Sequence, residues 1–192
     1  MLLYINGNEV CGGAKSINNH RIARDDPKYT GSGNKSHPEN VMHSFGYYLS
    51  KMLGLGMRVE ATVKSNDTVY KEVVDFVDVQ LPKLRSWYTV IVVGWAPGAS
   101  GEMLNELATK LNDLNLEFIF FNTEEPIEDW EQSFSNLIDL QSQDLCFLTW
   151  CQTHGHTLKE DCYPDRQAHE QWARYLFHLT VQEQEKSVDN QQ

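Results

Sequence analysis

The chain predicts an α/β fold, a three-layer α/β/α domain around a five-stranded, mainly parallel sheet. Three observations carry this. Five short apolar runs alternate with segments of helical spacing, the mark of a parallel sheet flanked by helices. One run, Tyr88 to Val93, is β-branched and apolar on both faces, as a central parallel strand must be. Hydrophobic residues make up 41% and charged residues 22% of 192 residues, ordinary usage for one domain with a sizeable core.

The expected strands are Leu2 to Ile5, Met57 to Thr62, Tyr88 to Val93, Leu116 to Phe121 and Leu145 to Trp150. Between them, His43 to Leu53 has Phe45, Leu49 and Met52 at helical spacing. Asp67 to Val79 follows Ser65-Asn66, good N-cap types, and carries a valine stripe at 69, 73, 74 and 77. Gly101 to Leu114 and a shorter stretch from Glu128 to Ile138 read as helices. The last helix starts at Pro164, a residue favoured in the first turn, and runs to about Gln182 with Trp172, Leu176 and Leu179 on one face. The alternation implies a right-handed, doubly wound arrangement. Residues Gly12 to Pro38 lack periodicity and predict a long surface loop. Residues 1–182 then form one domain, and 183–192 a flexible polar tail.

Composition narrows the function. The net charge of −11 argues against direct nucleic-acid binding and against an anionic membrane surface, both of which need clustered Lys and Arg. The start, Met1-Leu2-Leu3-Tyr4-Ile5-Asn6-Gly7, has no basic region and too short an apolar run for a signal peptide or a membrane span. Four cysteines in a chain of this length are no disulfide framework, so a reducing cytoplasm is expected.

In an open parallel sheet, ligands bind beyond the carboxyl ends of the strands. Those ends carry Asn6-Gly7-Asn8-Glu9-Val10, then Ser65-Asn66-Asp67, then Gly94-Trp95, and last Glu160-Asp161-Cys162-Tyr163-Pro164 leading through His169 and Trp172. This series resembles the ordered blocks of SGNH/GDSL-type hydrolases. Asn6-Gly7-Asn8-Glu9 lies where the Gly-Asp-Ser turn would be, and Glu160 to Pro164 where Asp-x-x-His-Pro leads into a helix. Ser65-Asn66-Asp67, the Asp26-Pro27-Lys28-Tyr29 loop and His37-Pro38 resemble the phage-encoded branch. The resemblance implies an SGNH-hydrolase or flavodoxin-like fold, and an origin in a phage with action in the host cytoplasm.

The departures from that pattern decide the expected chemistry. The family's serine nucleophile falls on Glu9 and the preceding Asp on Asn8. The block-two Gly, an oxyanion donor, falls on Val63 or Lys64. The block-three Asn falls near Ala96, and the catalytic His on Tyr163. Of the dyad only the acid persists, at Glu160 or Asp161. A carboxylate in the nucleophile's place repels a developing oxyanion, and a phenol of pKa about 10 is a poor base at pH 7. The implied protein is a pseudo-hydrolase with a relict cleft formed by Gly7, Asn8, Glu9, Ser65, Asn66, Gly94, Trp95, Asp161 and Tyr163. It would act by binding a protein partner or small ligand, as an oligomer or not.

Competing readings stay open. Cys151-x-x-His154-x-His156-x5-Cys162 offers zinc-type ligands, but the spacing matches no structural zinc signature, and a solvated His loop with two incidental thiols is the plainer reading, so no cofactor is expected. Glu9 and Asp161 could pair as acid and base in a hydrolase of altered mechanism acting on an ester or glycan, with or without that metal. A virion or assembly role is a third reading. Of the tryptophans, Trp95 is placed at the cleft. Arg21, Arg24, Lys28 and Lys64 read as scattered, solvated charge, and His169 as a structural helix-face residue.

Overall fold

The structure is a computed structural model that describes residues 1–84, 86–124, 137–139, 146–156 and 163–189, with backbone alone at 137–139 and 181–189. Among the described residues, four full-length parallel strands form the sheet: β1 (Leu2–Gly7), β2 (Gly56–Ala61), β3 (Thr89–Trp95) and β4 (Glu117–Asn122). A three-residue edge strand, β5 (Leu137–Asp139), completes the order β2-β1-β3-β4-β5. β3 is buried along its whole length, as its two-faced apolar run requires.

Side chains alternate across the sheet. Leu3, Ile5, Val90, Val92, Ile119 and Phe121 face one core, against α2 (Phe45–Leu53), α5 (Phe147–Thr153) and α6 (Arg166–Asp189), introduced after the four-residue α1 (Pro38–Val41). Tyr4, Ile91, Val93, Trp95, Phe118 and Phe120 face the other, against α3 (Asn66–Asp75) and α4 (Gly101–Asp113). Helix starts follow the capping rule: Ser44, Ser65 and Ser100 each accept a backbone N–H of the first turn, and Asp165 accepts from Ala168. α2 stops at Gly54 with φ 67°, a left-handed conformation that costs glycine little. α3 widens into a π-type turn over Phe76–Gln80.

Three expectations need correction. The run 145–150, expected as the fifth strand, belongs largely to α5: Phe147, Trp150 and Cys151 fall at helical spacing on one buried face. A short apolar run does not by itself separate strand from buried helix, and packing against Trp172, 5.2 Å from Trp150 between ring centroids, decided it. Within the stretch expected as a helix, Glu128 to Ile138, only 137 and 138 are described, and they belong to β5. The last helix continues past Gln182 to Asp189.

The segment after β1 is irregular but packed, with Val10, Cys11, Ala14, Ile22, Ala23, Asp26 and His37 buried. Its backbone polar groups are satisfied by side chains. Asn40 Oδ1 accepts from Ile17 and Asn18 N–H, and its Nδ2 donates to the carbonyls of Asn18 and His20. His37 Nε2 lies 3.1 Å from Asp26 Oδ2. Among the described residues no helix is long and apolar enough to cross a membrane.

Candidate functional site

The chain leaves β1 toward β2 on one side and β3 lies on the other, so the sheet's switch point, where open α/β sheets bind ligands, is at the ends of β1 and β3. Gly7 and Gly94 are register partners there. Cys11 Sγ sits over both: a Cβ at Gly94 would lie 2.2 Å from it, and one at Gly7 2.8 Å from it and 2.5 Å from Gly94 O. Asn8 turns inward. Its Nδ2 donates to Thr123 Oγ1 at 2.8 Å, and its Oδ1 accepts from Val10 N–H. Thr123 Oγ1 in turn donates to Trp95 O, so the ends of β1, β3 and β4 are tied by one chain of hydrogen bonds.

Glu9 comes next, with its side chain 14% exposed. Its Oε1 accepts from Tyr163 OH at 3.0 Å and from the guanidinium of Arg21. Lys15 Nζ stands over the Tyr163 ring, 5.0 Å from its centroid. The positions that the resemblance equates with nucleophile and base thus meet, although 154 residues separate them. Burial, then the Glu9 charge, pushes the Tyr163 phenol up to about 12. It stays protonated and donates. It cannot take a proton from anything near neutral pH.

The loop after β2 contributes structure more than reactive groups. Ser65 caps α3. Asn66 clasps the backbone after β3, its Oδ1 accepting from Ala96 N–H and its Nδ2 donating to Ala96 O, each at 3.0 Å. Ala96 therefore has its N–H engaged and no polar side chain to offer an oxyanion. Lys64, expected as a solvated charge, is only 6% exposed and pairs with Glu72, which also accepts from Asn6 at 3.1 Å. The Glu60 carbonyl and the Glu72 carboxylate both accept from the ammonium and hold it inward. We expect Asn66→Ala to lower stability by about 1–2 kcal/mol, read from the urea midpoint, because it strands the two Ala96 groups.

Other expectations fall elsewhere. Trp95 does not line the cleft. It is fully buried against Phe120, because the β3 alternation turns residue 95 into the core between the sheet and α3 and α4. Asp161, Glu160 and Cys162 lie outside the described residues. Cys151 is buried in the core with its thiol pushed up to about 12 by burial, while His154 and His156 stack on Trp150. Among the described residues no three His, Cys, Asp or Glu side chains are placed to hold a metal ion. His169 is fully buried, accepts from Phe45 N–H at 3.2 Å, and contacts Phe45 and Phe147, a structural place. Sequence reasoning did not place Cys11 and Thr123 at this edge, and Arg21, expected as a solvated charge, pairs with Glu9 there. No local pattern marks them, because each acts through a partner on another element.

No family profile matches this chain, and no curated protein does. Among solved structures, a protein of Desulfitobacterium hafniense assigned to the lipolytic G-D-S-L family superposes on it with a TM-score of 0.57 at 11% identity, covering 93% of this chain and 98% of that one. At that identity the likeness concerns the fold, and this chain has an SGNH/GDSL-like α/β fold.

Proposed function

We infer that this protein is a non-hydrolytic binding protein built on an SGNH/GDSL-type scaffold, of phage origin and acting in the host cytoplasm on a protein partner or small ligand. The observation that carries the reading is the Glu9–Tyr163 contact of 3.0 Å at the switch point. Acyl transfer needs a hydroxyl or thiol beside a base, with donors aimed at the oxyanion. Here the two positions hold a carboxylate already satisfied by Arg21 and a phenol whose proton is held up to about 12. Ala96 adds no donor. Cys11, whose thiol stands over Gly7 and Gly94, is fully buried and pushed up to about 12 by that burial, with Lys64 too weak a counterweight.

The purified protein should leave short-chain p-nitrophenyl esters intact and take no label from a fluorophosphonate probe. Turnover that disappears on Glu9→Gln or Asp161→Asn would replace this reading with a hydrolase of altered mechanism. Stable oligomers in size exclusion would point to an assembly role.

A further inference from the structure

The segment after β1 brings two cations to one spot. Arg21 pairs with the Glu9 carboxylate, and Lys15 stands over the ring of Tyr163, the residue whose hydroxyl donates to that carboxylate. A carboxylate beside an aromatic ring is the setting in which a guanidinium is recognised. The carboxylate accepts its charge-assisted hydrogen bonds, and the negative ring face attracts a cation. The two halves of the contact differ in burial. Glu9 is 14% exposed and lies two residues after β1, and Tyr163 lies three residues before α6. The Arg21 side chain is 45% exposed and comes from irregular backbone.

We propose that Glu9 and Tyr163 form a receptor for an arginine side chain of a partner protein, with Arg21 as the intramolecular occupant that the partner displaces. The proposal rests on the binding reading above and names the ligand of that site. The chain's net charge of −11 would gather basic partners near its surface at low salt. The phenol contributes as a donor. Held protonated, it fixes the carboxylate's orientation without adding a second negative charge.

The test empties the receptor and refills it. Ethylguanidinium is titrated into wild type, Arg21→Ala and Glu9→Gln/Arg21→Ala while amide and Tyr163 resonances are followed, with sodium chloride at matched ionic strength and uncharged urea as controls. Arg21→Ala should bind ethylguanidinium saturably and at least about tenfold more tightly than wild type. The double variant should lose that binding. Equal affinity in wild type and Arg21→Ala, equal affinity in the double variant, or equal binding of urea would each overturn the proposal. If Arg21→Ala does not fold, Arg21→Met keeps the aliphatic stem and takes its place. The same preparations are assayed on p-nitrophenyl esters. Turnover there would sink the non-hydrolytic reading, while the guanidinium titration alone decides the receptor.

Discussion

Replacing Gly94 with alanine is expected to lower the thermal midpoint by roughly 6–12 °C, the consequence of about 3 kcal/mol of overpacking in a chain of this size. The new methyl would lie 2.2 Å from Cys11 Sγ and 2.9 Å from Phe121 Cζ. Neither neighbour can retreat, because Cys11 and Phe121 are fully buried and Phe121 packs edge-on against Phe45, at 5.5 Å between ring centroids. The cause is separable by a double-mutant cycle. Cys11→Ala removes the sulfur, so Gly94→Ala should cost less in the Cys11→Ala background than in wild type. Additive losses would show that the strand itself, not the Cys11 contact, requires glycine. A Gly7→Ala variant meets the carbonyl of Gly94 at 2.5 Å as well, and at φ 148° it cannot be relieved by a side-chain shift.

The second large effect is a loss of stability on mild acidification, centred on His169. Burial alone pulls its imidazole down from 6.5 to about 3. The geometry agrees. Nδ1 accepts the Phe45 N–H, so a proton there would face another proton, and the buried Nε2 has no hydrogen-bonding partner among the described residues. Between pH 6.5 and 3 the unfolded chain therefore carries a proton at this site that the folded one does not. Unfolding free energy then rises with pH across that window, and it falls on acidification by about 1.4 kcal/mol per unit, or roughly 2–3 kcal/mol from pH 6.5 to 4.5. Urea titrations at successive pH values measure it. His169→Asn keeps an acceptor near the place of Nδ1 but does not titrate. It should be less stable at pH 7, where a ring is lost from the Phe45–Phe147 cluster, and its profile should be flatter between pH 6.5 and 4.5. Parallel profiles would assign the acid loss to other groups. Asp26 is one such group. The backbone N–H of Lys28 and then His37 hold its carboxyl below the usual range, so its contribution is present above 3.8 and is lost only at lower pH.

Much of the scaffold is legible in the linear chain because its signals are local. The two-faced apolar run of β3, the serines that open α2, α3 and α4, and the glycine that ends α2 each act within a few residues. Glu9 in the turn after β1 and Tyr163 ahead of the last helix are residue types that stand in the sequence in the same way, and only the resemblance equates them with a serine and a histidine. The partners those residues take are not readable. Tyr163 donating to Glu9, Arg21 claiming the same oxygen and Asn8 donating to Thr123 all depend on which distant segments the fold brings together. The helix over Phe147–Thr153 and the inward turn of Trp95 were likewise settled by packing, which alone can tell a buried helix from a strand or a core ring from a cleft ring. The amino-acid sequence by itself determined the layered α/β architecture and the residue types at the switch point, through periodicity and caps. Only the tertiary structure decided which charges meet there, since the fields and hydrogen bonds that pair them act across space and not along the chain.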